Sequence, residues 1–381
     1  MTDLSKKALL PTGLRDVLPP DAAVEARAME TLVASFAAHG YERVAPPLVE
    51  FEESLLGGAG AGVANTTFRI MDPVSQRMMG VRPDMTLQVA RIARTRLADV
   101  PRPLRLCYGG QVLRVLGSQL RPEREFAQAG VELIGSDSEN ADLEVVLLAI
   151  ESLESVGVPN LSIDLNLPTV VPAVCENLGL DLTRGAPVRN HLDHKDATAI
   201  AGLGGEAAKV LGALLDAAGP AERALELLQK IKLPKPAAEE RARLTGLVER
   251  LRAAAPDIGL TVDPVENRSF EYHSGLSFTF FALDVRGALG RGGRYSAGNG
   301  ETATGFTLFL DRVLRALPPA TQERRLYLPF ATPAGEGVRL RKEGWVTVAA
   351  LEKDKDPEAE ARRLGCTHLY RSGDVVAVKA K

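Results

Sequence analysis

Gln128-Ala129-Gly130-Val131-Glu132 is the stretch on which the fold of this chain turns. Side chains two apart on a strand share a face. Gln128, Gly130 and Glu132 therefore point one way, and Ala129, Val131 and Leu133 the other, into an apolar layer. A glycine between two polar residues leaves a floor without a side chain, on which a small ligand can lie between an amide and a carboxylate. The plainer reading is an antiparallel strand with one solvated face. Two neighbours favour the ligand: Leu113-Arg114 on the preceding strand, within hairpin reach, and the polar turn Asp84-Met85-Thr86 that follows Val81-Arg82-Pro83. Together they offer what a free amino acid with a polar side chain needs. Asp84 and Thr86 can receive an ammonium, Arg114 can fork onto a carboxylate, and Glu132 with Gln128 can bond a donor side chain.

Working outward, segments 104–115 and 126–134 read as two strands joined by a polar loop. A helix follows with Leu143, Val146, Leu147, Ile150 and Leu153 on one face. Upstream, Asp21 after Pro19-Pro20 is a candidate N-cap for a helix burying Val24, Ala28, Leu32 and Phe36, ended by Gly40. Tyr41–Val44 then reads as a strand. Residues 168–260 are rich in Ala, Leu, Lys and Glu and suggest an all-helical insertion. Downstream, 277–283 reads as a strand, Gly290–Arg294 as a glycine-rich turn, and about 304–317 as a helix. Pro318-Pro319 marks a boundary before a small C-terminal α/β unit over 318–381, with strands at 326–330, 345–351 and 375–378 and a helix at 358–364.

At 381 residues, one large domain over 1–317 plus a small one is the expected arrangement. The 46 basic and 49 acidic side chains leave a charge of −3, so no global charge recruits nucleic acid. Segment 81–130 carries nine arginines and no lysine, a bias toward planar recognition. Of these, Arg91, Arg94 and Arg96 are expected on an exposed helix face, and Arg114 alone is a candidate site residue. Cys107, Cys175 and Cys366 are odd in number and far apart, against a disulfide framework or zinc site and in keeping with a reducing cytoplasm. No apolar run approaches the roughly 20 residues that span a bilayer. Gly290–Tyr295 lacks the phosphate-loop pattern. His191-Leu192-Asp193-His194 reads as a solvated face, so no metal and no cofactor are expected.

From residue 11 to about 317 the chain resembles the core of histidyl-tRNA synthetase, a class II aminoacyl-tRNA synthetase. Gly13–Pro19, Gly40-Tyr41 through Pro47–Glu50, and Arg82–Thr86 are similar to successive family motifs, the last with aspartate in place of glutamate. Leu113-Arg114 and Arg124–Gln128 resemble the flanks of the second class II motif. Arg268–Tyr272 resembles the histidine-specific segment, and Gly293–Tyr295 with Asp311-Arg312 the third motif. The resemblance implies an α+β fold, an antiparallel sheet flanked by helices, and a homodimer. It also implies a histidine site. Asp84 and Thr86 would take the amine, Arg114 and Gln128 the carboxylate side, Glu132 with Tyr272 and Tyr295 the imidazole, and Arg268 would match the family's catalytic arginine. The second tyrosine of the family's pair is His273 here.

The nucleotide side departs from the family. Leu116 replaces an acid that helps read adenine, and Phe309 stands where a glycine leaves adenine room. The family's C-terminal anticodon-binding domain is replaced by the shorter unit after Pro318. This combination resembles the regulatory subunits of ATP phosphoribosyltransferase. That likeness implies a chain without catalysis of its own, which binds and activates the short-form ATP phosphoribosyltransferase catalytic subunit in a hetero-oligomer (a hetero-octamer in one arrangement) and transmits histidine inhibition, with no tRNA and no membrane partner. Two rival readings stand beside it: a truncated enzyme that adenylates histidine, and a scaffold with a vestigial pocket.

Overall fold

The computed structural model describes residues 9–56, 64–117, 122–182, 187–266, 273–319 and 324–379. They form two compact units, Met1–Pro318 and Pro319–Lys381.

In the first unit, helix α1 (Asp21–Ala38) buries Ala28, Leu32, Val33 and Phe36 at helical spacing. Asp21 is its first residue and not its cap, because the chain turns at Pro20 and no side chain caps the end. The acid still faces the positive end of the helix dipole. Gly40, at φ +80°, reverses the chain into β1 (Glu42–Arg43). A small antiparallel sheet follows in the order β2 (Val49–Phe51), β4 (Met78–Val81), β3 (Arg69–Met71), with the short α2 (Glu52–Leu55) between β2 and β3. Helix α3 (Thr86–Thr95) leads to the hairpin of β5 (Leu104–Leu113) and β6 (Glu125–Ile134). Arg91 on α3 is half-buried, not exposed: its Nε donates to Glu50 at 2.9 Å.

Helix α4 (Glu139–Ser155) is capped by Ser138 and is buried on more than the one expected face, since it packs against both α1 and α10. Next come β7 (Leu161–Asn166), α5 (Val170–Leu178), α6 (Pro187–Asp193), α7 (Ala197–Gly202), α8 (Gly205–Asp216), β8 (Gly219–Pro220), α9 (Ala221–Gln229), α10 (Lys235–Ala254) and β9 (Gly259–Asp263). The stretch expected to be wholly helical thus carries two short strands. Its helices form the long crossover that parallel pairing of β7 with β9 requires. They share one core with the sheet, Val174, Leu211, Leu244 and Leu251 joining Phe278, Phe280 and Phe306.

Strands β10 (His273–Ala282), β11 (Gly290–Gly298) and β12 (Glu301–Phe309) precede α11 (Leu310–Ala316). Two expectations are overturned here. The glycine run is a central strand, because a Cβ at Gly292 would collide with the Phe278 ring. Residues 304–309 are strand, not helix: the run lies between β6 and β11 and is buried almost throughout, a setting that suits its threonines and phenylalanines. The large sheet has nine strands among the described residues, ordered β1-β5-β6-β12-β11-β10-β7-β9-β8, antiparallel through the middle and parallel at β1/β5 and β7/β9.

The second unit has a sheet ordered β14 (Val346–Ala349), β13 (Arg325–Leu328), β15 (His368–Arg371), β16 (Asp374–Ala377), with α12 (Ala334–Lys342) and α13 (Pro357–Arg363) in its crossovers. β13 runs parallel to both neighbours, so this unit is α/β. Helix α12 and strand β15 have no counterpart in the expectation from sequence.

Candidate functional site

Strand register assembles the site. On one face of the large sheet, Leu106, Glu132, Gly305, Gly293 and Ser277 lie in one row across β5, β6, β12, β11 and β10. Tyr108, Gly130, Thr307, Arg291 and Thr279 form the next row. The intervening residues Val131, Phe306 and Phe278 point into the core on the opposite face. The polar face is not solvated: Gln128 is fully buried and Glu132 is 1% exposed.

Glu132 lies over Gly305, where any Cβ would strike its carboxylate. Tyr295 donates to Oε2 at 2.8 Å and Tyr108 to Oε1 at 3.2 Å. The Tyr108 hydroxyl also lies 2.7 Å from Thr307 Oγ1 and 3.2 Å from Thr86 Oγ1. Burial pushes the Glu132 carboxyl up to about 8, against the hydrogen bonds from Tyr295 and Thr86; the nearby Asp84 adds to the rise. A buried acid with this perturbation, on a cleft wall, marks a candidate ligand site. The cleft is narrow, with a cavity volume of about 20 Å³, and its walls include Thr86, Glu132, His273, Arg291, Tyr295 and Thr307.

Asp84 and Gln128 are joined. Gln128 Nε2 donates to Asp84 Oδ2 at 3.0 Å, and its Oε1 accepts from the Met85 N–H at 3.2 Å. Asp84 Oδ1 takes the Thr86 N–H at the start of α3. The turn is anchored by buried Arg82, which donates to the Gln111 and Pro46 carbonyls. Gln128, expected to meet the ligand itself on its carboxylate side, thus has both polar ends engaged in bracing the Asp84 turn. Arg114 lies just past β5, where its Nε donates to Pro83 O at 3.3 Å and its guanidinium stands 5.1 Å from the Phe126 ring centre. Phe309 meets Phe126 edge to face at 6.2 Å, so an arginine and two phenyl rings form a packed cluster at the end of β12. Leu116 is exposed.

The structure thus brings together Asp84, Thr86, Gln128, Glu132 and Tyr295, with Arg114 beside them. Arg268 and Tyr272 lie outside the described residues. Tyr108 and Thr307 join the network without having been expected there. The available signal was register: both are cross-strand partners of Gly130. His273 places its ring over Gly293, where a Cβ would be 2.6 Å from Cδ2. Among the described residues no group of three or more His, Cys, Asp or Glu side chains is placed to hold a metal ion, and no helix is long and apolar enough to cross a membrane.

The histidyl-tRNA synthetase family model matches residues 13–313. The ATP phosphoribosyltransferase regulatory subunit of Paramagnetospirillum magneticum is 56% identical over 379 residues, covering the full length of both chains. An ATP phosphoribosyltransferase regulatory subunit/histidyl-tRNA synthetase from Bacillus halodurans superposes with a TM-score of 0.78 at 25% identity, over 93% of this chain and 96% of that one. A chain of the ATP phosphoribosyl transferase (HisG:HisZ) complex from Thermotoga maritima superposes with a TM-score of 0.61 at 20% identity, over 75% of this chain and 97% of that one.

Proposed function

The chain belongs to the family of ATP phosphoribosyltransferase regulatory subunits, within the histidyl-tRNA synthetase-like class II fold, and from that premise we propose that it is a non-catalytic subunit that binds the short catalytic subunit, activates it and relays inhibition by histidine. The full-length likeness to a relative of that name carries the partner assignment. The carboxylate of Glu132, buried between two tyrosine hydroxyls over a glycine floor, supports the histidine assignment.

In this reading the ligand amine meets Asp84 and Thr86, its carboxylate meets Arg114, and its imidazole meets Glu132 beside Tyr295. Arg268 and Tyr272 complete the set. Gln128 acts through Asp84. An apolar amino acid would deny the desolvated Glu132 the ring donor that an imidazole supplies, the kind of mismatch that discriminates strongly. Histidine would then shift the assembly between active and inhibited arrangements, for which a coupling of about 1–3 kcal/mol suffices. Self-association through the class II interface and cytoplasmic location belong to the same proposal.

The synthetase match over 13–313 favours a second reading, a histidine-adenylating enzyme. Against it, Phe309 fills the strand end with a ring packed on Phe126. Titration calorimetry with histidine tests the pocket. Wild type binds, and Glu132→Ala weakens binding well over tenfold, about 1.4 kcal/mol or more. Wild-type affinity in that variant would remove Glu132 from the site. Histidine-dependent ATP–pyrophosphate exchange would decide for the second reading.

A further inference from the structure

Tyr108 is given no ligand contact in the assignment above, yet it occupies the centre of the polar network. Its side chain is fully buried. Gly130 opposite leaves its place free, since a Cβ there would lie 2.5 Å from the Tyr108 hydroxyl. A phenylalanine would fill that volume equally well, so packing alone accounts for the ring and not for the oxygen. The oxygen is 2.7 Å from Thr307 Oγ1, 3.2 Å from Thr86 Oγ1 and 3.2 Å from Glu132 Oε1. Glu132 itself lies over Gly305, which offers no side chain to hold it. Tyrosine hydroxyls hold it on both oxygens, Tyr295 on Oε2 and Tyr108 on Oε1, and Thr86 adds a third hydrogen bond.

We propose that Tyr108 is a positioning residue of the amino-acid pocket, its hydroxyl fixing Glu132 in the plane that meets the ligand's ring N–H and linking it to Thr86 on the amine side. The inference rests on the reading of this pocket as a histidine site. Without the hydroxyl, Oε1 loses its tyrosine donor, and Tyr295 and Thr86 alone restrain a terminal torsion that is intrinsically broad. Among the described residues, the other charged or titratable groups around Glu132 include Asp84 before α3, Tyr295 and Arg291 on β11, His273 on β10 and Tyr41 before β1. All of them remain when the hydroxyl is removed. The Tyr108 hydrogen bond favours the ionised carboxylate, whereas burial and Asp84 oppose it. Its loss therefore moves the Glu132 titration upward.

The test uses the full chain carrying Tyr108→Phe, with histidine calorimetry from about pH 6 to pH 9. Carboxyl carbon NMR follows Glu132 in the ligand-free protein, assigned with Glu132→Gln. Histidine affinity should fall about tenfold, and the Glu132 midpoint and the pH profile of binding should both rise. An unchanged midpoint overturns the proposal even if affinity falls, because packing loss alone would do that. Should Tyr108→Phe fail to fold, Thr307→Val removes the hydroxyl's nearest partner at constant shape and should move both readouts; no movement overturns the proposal. If wild type binds no histidine, the pocket reading fails while the ligand-free midpoint still judges Tyr108.

Discussion

Burial of the Glu132 carboxyl costs the fold stability near neutral pH. Its folded midpoint of about 8 stands above the ordinary carboxylate value of 4.5. Between those two values the folded chain keeps a proton that the unfolded chain releases, so this group's contribution to stability falls as pH rises through the window and is level above it. Glu132→Gln keeps the shape without the charge. It should stabilise the protein little near pH 4.5 and by a few kcal/mol at about pH 8.5, at about 1.4 kcal/mol per unit of displaced midpoint. Urea unfolding of both proteins at the two pH values checks this, and a difference independent of pH would contradict it. Asp84, Thr86, Gln128, Glu132 and Tyr295 were legible in the sequence because two-residue alternation and motif likeness are local signals. Tyr108 and Thr307 were not. Tyr108 meets Glu132, and Thr307 meets Tyr108, only through the pairing of β5, β6 and β12, and no local pattern states that register.

Among the elements, β11 ties the pocket to the helical layer. Tyr295 faces Glu132, while its neighbour Arg294 faces the other way and grips the start of α4. There it donates to Asp142 Oδ2 at 2.9 Å, Ser138 O at 2.9 Å and Ser136 O at 3.0 Å. Arg294 is 2% and Asp142 1% exposed. Arg294→Met strands a buried carboxylate and should cost about 3–5 kcal/mol, and adding Asp142→Leu should recover part of it. Chemical unfolding of the single and double variants measures both. A single variant of wild-type stability, or a double no better than the single, would refute the bridge. The strand nature of β11 was hidden for a physical reason: glycines disfavour strands in general, but here they admit the Phe278 ring and the His273 imidazole. Residues 304–309 were misassigned because Leu308 and Phe309 run into Leu310 of α11 with no turn residue between strand and helix. Short apolar runs do not separate strand from buried helix by periodicity.

At the scale of the molecule, the sheet and the helical layer of the first unit share one core. The second unit has its own apolar clusters, Leu326, Leu328, Leu340 and Trp345 in one, Tyr327, Ala361 and Leu369 in another. The wide resemblance made the overall plan of the first unit legible. The second unit was legible in outline only, since α12 and β15 are short and weakly patterned. The expected behaviour is that of a regulator: a chain whose pocket senses an amino acid and whose effect appears in a partner's rate. The direct measurement is the initial rate of a short-form ATP phosphoribosyltransferase, alone and with this chain, with and without histidine. The chain should raise the rate, and histidine should lower it only when the chain is present, with Glu132→Ala blunting that inhibition. A rate indifferent to the chain, or inhibition equally strong without it, would contradict the account.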